Sequence, residues 1–336
     1  MSNTNIIEPK KAVSLLVVIV NYRTPDLTID CLHSLVDEVR SLPGTRVVIT
    51  DNASGDDSVA KIQTAIETEG WQDWASLMPL EKNGGFAFGN NEAIRPALNS
   101  HHPPNYVLLL NPDTIVHPHA LKVLVDFMDK HPQVGIAGSR LEDPDSTVQV
   151  SAFRFHSILS ELDNGLRLRF GKKFKERWAV VPPTLPQEIT QVDWVAGASM
   201  IIRRQVFDSV GFMDEGYFMY YEEADFCLQA NRAGWTCYYV PESRIVHLVG
   251  QSSGVTDPKA PPKRRPQYWF NSRRRYFVKN HGWLYGLLAD AAFAFTFALT
   301  KLRWLIMGQQ SVDPPQFLTD FLRNSVIVKV FVQSPQ

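Results

Sequence analysis

Four stretches of this 336-residue chain have the residue types and spacing for chemistry at phosphates and hydroxyls. Asp113 stands in Leu110-Asn111-Pro112-Asp113-Thr114, just past an apolar run. A carboxylate there can hold a divalent cation against a diphosphate, because hard cations prefer oxygen ligands. It can equally cap a helix beginning near Pro118. Glu222-Glu223-Ala224-Asp225 is the densest acidic group. A carboxylate within reach of a hydroxyl can act as general base; acids in a helix's first turn also complement its dipole. Helical neighbours point about 100° apart, so only one of Glu222 and Glu223 is expected to face a given site. His247 follows Arg244-Ile245-Val246. It suits a metal shell as neutral imidazole, or a packed core. His117 and His119 flank Pro118 and read as solvated helix-start residues. Asn83-Gly84-Gly85-Phe86 leads into a helix through Gly89-Asn90-Asn91. Such loops bring backbone N–H groups near phosphates, although neither GxGxxG nor GxxxxGK[ST] spacing is present.

The elements that must position these groups alternate. Short apolar runs at 15–20, 46–50, 76–80, 106–110 and 134–137 read as parallel strands covered on both faces. Amphipathic helices are expected from Thr24-Pro25-Asp26 onward and over 57–70, 90–100 and 118–130. Leu27, Cys31, Leu35 and Val39 give the first its apolar face. This alternation implies right-handed crossovers and an open, Rossmann-like sheet with flanking helices. Ligands bind such sheets at the strands' carboxyl ends, where the loops Asn21-Tyr22-Arg23, Asp51-Asn52-Ala53-Ser54, Asn83-Gly84-Gly85 and Asn111-Pro112-Asp113 gather. Further on, 194–203 is an apolar segment. A helix is expected over 221–233, ended by Gly234, followed by strands at 235–240 and 244–248.

Composition bounds the class. Hydrophobic residues are 44% and charged residues 21%, which excludes a disordered, collagenous or coiled-coil chain. Cys31, Cys227 and Cys237 lack CxxC spacing and read as buried thiols. Lys10 and Lys11 precede an apolar run that ends at Asn21-Tyr22-Arg23, without the small-residue cleavage site of a signal peptide. The net charge of −1 conceals an asymmetry: residues 258–310 carry +9 and residues 1–257 carry −10. Such a division calls for a partner. In the basic part, Arg264, Arg265, Arg273, Arg274 and Arg275 interleave with Tyr268, Trp269, Phe270, Tyr276 and Phe277. The acidic remainder argues against nucleic acid. Residues 284–307 follow, with Leu284, Leu287, Leu288, Ala291, Phe295, Ala298, Leu302 and Leu305 on one helical stripe and Asp290, Ala294, Phe297 and Lys301 opposite. Seventeen apolar residues broken by Asp290 fall short of a span. A helix lying in a membrane interface or packed on a neighbour is expected, with residues 259–307 facing an anionic membrane surface.

The order of these motifs resembles that of family 2 glycosyltransferases of the GT-A fold, and among them the bacterial rhamnosyltransferase-like members. The resemblance runs from about Ser14 to Gly254. It is carried by Val17-Val18-Ile19-Val20-Asn21-Tyr22, Asp51-Asn52-Ala53-Ser54-Gly55-Asp56, Asn83-Gly84-Gly85-Phe86, Leu110-Asn111-Pro112-Asp113, Asp193-Trp194-Val195-Ala196-Gly197-Ala198 and Phe218-Met219-Tyr220-Tyr221-Glu222-Glu223-Ala224-Asp225-Phe226.

The resemblance implies an α/β GT-A domain over 12–256. Its nucleotide-sugar half would be 12–140 and its acceptor and base half 141–256. Residues 257–336 would form a basic and apolar helical membrane-associating region. Asn21, Tyr22, Arg23, Asp51, Asn83, Gly84, Gly85, Asn111 and Asp113 would bind the donor, with Asp51 on the nucleotide base. Trp194, Gly197 and Ala198 would lie on the acceptor side. Asp113 and His247 would hold Mg2+ or Mn2+, and Glu223 would be the base, with Glu222 and Asp225 as alternatives. Two positions depart from the family pattern: Asn111 replaces the first Asp of DxD, and Glu223 stands where many relatives have Asp. The implied activity is inverting transfer of a sugar, L-rhamnose from dTDP-rhamnose, to a glycan or lipid-linked acceptor in bacterial cell-surface polysaccharide synthesis. The implied location is cytoplasmic, on the inner face of the cell membrane. Rival readings are a catalytically silent nucleotide-sugar-binding protein and a nucleotide-cofactor oxidoreductase. A glycosidase pair at Glu222 and Glu223 fails on geometry, because helical neighbours cannot flank one glycosidic bond.

Overall fold

The computed structural model describes residues 14–167, 172–248, 262–310 and 313–330. Lys10, Lys11, Lys259 and the boundary expected at 256/257 lie outside the described residues. The first half contains β1 (Leu15–Asn21), α1 (Pro25–Ser41), β2 (Arg46–Asp51), α2 (Ser58–Thr68), β3 (Ala75–Pro79), α3 (Phe86–Leu98), β4 (Tyr106–Leu110), β5 (Thr114–Val116), α4 (Ala120–Lys130) and β6 (Val134–Glu142). It continues through β7 (Ala152–Phe153), α5 (Ile158–Leu166), α6 (Lys172–Trp178), β8 (Thr190–Val192), β9 (Trp194–Val195), β10 (Ser199–Arg203), α7 (Arg204–Val210), α8 (Glu222–Arg232) and β11 (Thr236–His247). The C-terminal helices are α9 (Gln267–His281), α10 (Trp283–Ile306), α11 (Phe317–Arg323) and α12 (Val326–Val330).

The main sheet runs β3-β2-β1-β4-β10-β6-β11-β5, with β8 also on β11. β1, β2, β3 and β4 pair in parallel, as do β6 and β11, while β10 enters antiparallel between β4 and β6. Both faces are covered. Leu15, Val17 and Ile19 of β1 join one buried cluster, and Leu16 and Val18 join the other. That two-sided burial explains why the strands are unbroken apolar runs. The strand order reverses at β1 and β4, the switch point where a ligand crevice opens beyond the carboxyl ends.

Some local expectations change. The residues expected as two strands near 235–248 form one strand, with an irregularity between Val240 and Arg244. α3 begins at Phe86 rather than at 90, because Gly85 (φ +89) serves as its N-cap position. The Thr24 hydroxyl donates to Asn21 Oδ1 rather than capping α1. Asp113 does not cap α4. Glu38 of α1 does, accepting from the N–H groups of His119 and Leu121. All three cysteines are buried free thiols.

The C-terminal helices pack onto the body through charge. Arg273 of α9 binds Glu161 of α5 (2.7 Å) and Asp290 of α10, and all three are buried. Asp290 also accepts from the backbone N–H of Val326. The acid that interrupts the apolar run of α10 is therefore an internal counter-ion. Gly286, Ala289, Asp290, Phe293, Thr296, Phe297 and Thr300 face the protein, while Leu284, Leu288, Phe295, Leu299, Leu302 and Leu305 face outward. The charge asymmetry is answered in part within the chain. Arg275 and Lys279 bind Asp214, Lys279 also binds Asp225, Arg264 binds Asp320 and Lys301 binds Asp313. The basic segment is held partly by its own body and partly by the acids that follow it, and Lys263, Arg264 and Arg265 are exposed alongside the apolar stripe of α10.

Removing one member of a buried ion cluster leaves the others uncompensated, at roughly 3–5 kcal/mol. Arg273→Met is expected to lower stability by about that amount in chemical denaturation. Adding Glu161→Gln and Asp290→Asn is expected to recover over half of the loss. A single-variant change below about 1 kcal/mol would contradict a central role for the triad.

Candidate active site

A cleft of about 510 Å³ lies beyond the carboxyl ends of β1 and β4. Tyr22, Asn83, Gly85, Asn111, Asp113 and His247 line it, with Glu222 and Glu223. The loops that form it are stitched together. Asn52 Nδ2 donates to Asn83 Oδ1 and to the Gly85 carbonyl, both at 3.0 Å. The N–H of Phe86 donates to the Phe218 carbonyl at 2.9 Å, and a Cβ on Gly85 would overlap that carbonyl. Gly84 meets the Phe88 ring instead and is not in the cleft wall. The two glycines thus serve close approach as well as any phosphate.

His247 is the last residue of β11. Its Nε2 lies 3.5 Å from Asp113 Oδ1 and 3.4 Å from Asn111 Nδ2. Its Nδ1 lies 3.1 Å from Gln149 Oε1. The Gln149 amide is oriented by donating to Asp143 and to the His247 carbonyl. Nδ1 is therefore the donor, and the Nε2 lone pair faces the Asp113 carboxylate. A nitrogen and a carboxylate oxygen converging in this way form a donor set suited to a divalent cation. Among the described residues no cluster of three His, Cys, Asp or Glu occurs. The rest of a metal shell would then come from water and a diphosphate, as is usual for Mg2+.

The acidic group opens α8. Tyr220 and Tyr221 both have left-handed backbones (φ +71 and +72). Such strain persists where packing over-determines it, and Tyr221 is held between the rings of His156 (4.7 Å) and Tyr276 (5.6 Å). This turn sends both Glu222 and Glu223 into the cleft, although helical spacing alone had placed only one there. Glu223 Oε1 accepts from the N–H of Gly197 at 3.3 Å. Burial and the neighbouring Glu223 push the Glu222 carboxyl well above the usual range, and burial also raises that of Glu223. Asp225 points elsewhere. Its buried carboxylate takes Lys279 Nζ and Asn280 Nδ2, each at 2.6 Å, and lines neither cavity. It ties α8 to α9 and is removed from the candidate bases.

A second cavity, of about 820 Å³, lies beside the first. Trp194, His156, Trp269, Arg265 and Phe293 are in its wall. Tyr220 and Glu223 belong to both cavities.

A sequence profile described as glycosyltransferase-like family 2 matches residues 12–265. The chain belongs to this family. Among relatives, the N-acetylglucosaminyl-diphospho-decaprenol L-rhamnosyltransferase of Mycobacterium tuberculosis is 26% identical over 285 residues, covering 83% of this chain and 85% of the relative. The dTDP-rhamnosyl transferase RfbF of Shigella flexneri is 25% identical over 273 residues, covering 79% and 80%. Among solved structures, a mannosyltransferase of Pyrobaculum calidifontis in complex with GDP-Man and Mn2+ superposes with a TM-score of 0.55 at 14% identity, covering 97% of this chain and 89% of that one. The fold is GT-A, a mixed but mostly parallel sheet with flanking helices.

In this glycosyltransferase the other expected site residues divide. Asp51 and Asn21 are buried beneath the cleft rather than in its wall. The Asp51 carboxylate accepts from Asn21 Nδ2 (2.7 Å), Ser54 Oγ (2.6 Å) and Ser54 N–H (3.0 Å). These hydrogen bonds hold the loop. Arg23 is exposed, with its Nε donating to the Ser54 carbonyl and its guanidinium over Tyr22. Trp194 lines the second cavity, Gly197 orients Glu223, and Ala198 is buried behind them. Asn52, Phe218 and Tyr268 also line the first cleft, and His156 and Trp269 line the second cavity. Asn52 was legible in the Asp51 loop; the rest come together only through long-range packing.

The raised Glu222 carboxyl has a thermodynamic consequence. The unfolded chain ionises near 4.5, while the folded chain holds the proton to higher pH. This group's contribution is complete below the unfolded value and is lost as pH rises through the folded value. Glu222→Gln escapes that loss. The Tm of the variant relative to the parent is expected to climb from about pH 4 towards pH 8. A difference independent of pH would contradict the buried pair.

Proposed function

We propose that this glycosyltransferase moves L-rhamnose from dTDP-L-rhamnose, with inversion, to a hydroxyl of a lipid-linked glycan acceptor. The observation that carries this reading is the position of Glu223 in the walls of both cavities. One cavity, ending at Asp113 and His247, would take the nucleotide sugar. The other, with Trp194 and Trp269 among its aromatic lining, would take an acceptor sugar. Rhamnose and a diphosphate-lipid acceptor are supported by the names of the mycobacterial and Shigella relatives.

Glu223, oriented by the Gly197 N–H, takes the proton of the acceptor hydroxyl. That oxygen forms the new bond to the anomeric carbon, on the face opposite the diphosphate. The bond from the anomeric carbon to the diphosphate oxygen breaks, and nucleoside diphosphate leaves. Asp113 and His247 would hold a divalent cation, which would offset charge on the leaving diphosphate. Burial raises the basicity of Glu223, which suits a base working near neutral pH. Burial raises the Glu222 carboxyl as well, and Glu223 is distinguished from it by its place in both cavities and by the Gly197 N–H.

We place the enzyme on the inner face of the cell membrane, with the outward stripe of α10 in the lipid interface. Among the described residues α10 is long and apolar enough to cross a membrane, with mean hydropathy 1.4. Its polar side is already packed against α5 and α9, so lying in the interface leaves no buried charge facing lipid. Flotation with anionic liposomes checks this; a protein that stays with soluble markers contradicts it.

A panel of nucleoside-diphosphate sugars, scored for nucleoside diphosphate release with the lipid-linked acceptor, tests the reaction. dTDP-rhamnose is expected to turn over, and chelation to suppress it. Glu223→Gln is expected to lower turnover by about 10²–10⁴ while donor affinity by calorimetry is kept. Normal turnover by the variant would overturn the assignment of the base.

A further inference from the structure

The second cavity shares its wall with an arginine that the charge pairing leaves over. Arg264, Arg273, Arg275, Lys279 and Lys301 each bind a carboxylate. Among the described residues Arg265 binds none. Its guanidinium lies 5.6 Å from the centre of the Trp269 ring, in the wall of the cavity that contains Glu223. Stacking on an indole orients a guanidinium while leaving its five N–H donors for a ligand. Arg167, Lys175 and Arg273 are in the same wall with the carboxylates Glu161, Asp163 and Glu223; Arg167 and Arg273 are held in ion pairs and Lys175 lies near Asp163, and Phe293 of α10 brings the apolar helix to it.

We propose that Arg265 binds the diphosphate of the lipid-linked acceptor. The inference rests on the proposed function, in which this cavity receives that acceptor. If the acceptor is one sugar on a diphosphate, as the name of the mycobacterial relative has it, a hydroxyl at Glu223 would put the diphosphate about one sugar ring away. A guanidinium matches two phosphate oxygens at once, which a lysine cannot do. Arg265 is absent from the wall of the donor cleft, so the phosphate it meets is the acceptor's rather than the donor's. Arg265 and Trp269 thus belong to a substrate cavity, while the lipid contact is left to the outward stripe of α10.

The probe is farnesyl diphosphate, titrated calorimetrically into the full chain with the donor cleft saturated by dTDP. Binding is expected in the presence of dTDP. Arg265→Ala is expected to weaken it by about 10–100-fold, and Arg265→Lys by less. The affinity of Arg265→Ala for dTDP, its Tm and its binding to anionic vesicles are expected to match the parent. Unchanged farnesyl diphosphate affinity in Arg265→Ala overturns the proposal, as does displacement of the probe by dTDP. Loss of dTDP affinity would reassign Arg265 to the donor, and loss of vesicle binding to lipid headgroups. Because this readout is binding, it separates from the proposed function, which fails on absence of rhamnosyl turnover.

Discussion

The hydrogen bond from the Phe86 N–H to the Phe218 carbonyl joins the two halves of the site. One side of it is the glycine loop that starts α3; the other is the segment that turns through Tyr220 and Tyr221 into α8. Gly85 lies so close to that carbonyl that any side chain there would force the halves apart. Everything proposed for the chemistry depends on this closure. It brings the α8 carboxylates to the carboxyl edge of the sheet, where the polar loops after β1, β2, β3 and β4 gather.

Buried charge does the corresponding work in the C-terminal region. The triad of Glu161, Arg273 and Asp290 binds α5, α9 and α10 into one layer, and Asp225 with Lys279 and Asn280 fixes α9 to α8. Since Trp269 and Arg265 adjoin α9 and Phe293 lies on α10, the second cavity exists only where these helices dock. A sequence divided into −10 and +9 is therefore neutralised in part across its own helix contacts. The apolar stripe of α10 faces outward, and Lys263, Arg264 and Arg265 are exposed as well.

Much of this was legible in the residues. Leu15–Asn21 and Tyr106–Leu110 could be read as strands because a strand covered on both faces must be apolar throughout. The polar loops after them then followed from the sheet's topology. Local signals misled where long-range partners decided the outcome. Asp51 also holds its own loop, through Asn21 and Ser54, which its position in the sequence did not show. Asp225 shared the helix turn of Glu223 but faced α9. Gly84 and Gly85 suggested phosphate, while Phe88 and Phe218 also demand them. The second cavity was beyond sequence reasoning, because Phe153, Trp194, Tyr221, Trp269 and Phe317 meet only after the last helices pack.

The central claim is that a single carboxylate, Glu223, serves both cavities. A structure of the ternary complex, with a non-transferable donor analogue and an acceptor, measures this directly. The account expects the reacting hydroxyl within hydrogen-bond reach of Glu223, about 2.6–3.2 Å, with the anomeric carbon on its far side. A hydroxyl bound at Glu222 instead, or an acceptor seated outside the cavity of Trp194 and Trp269, would contradict it.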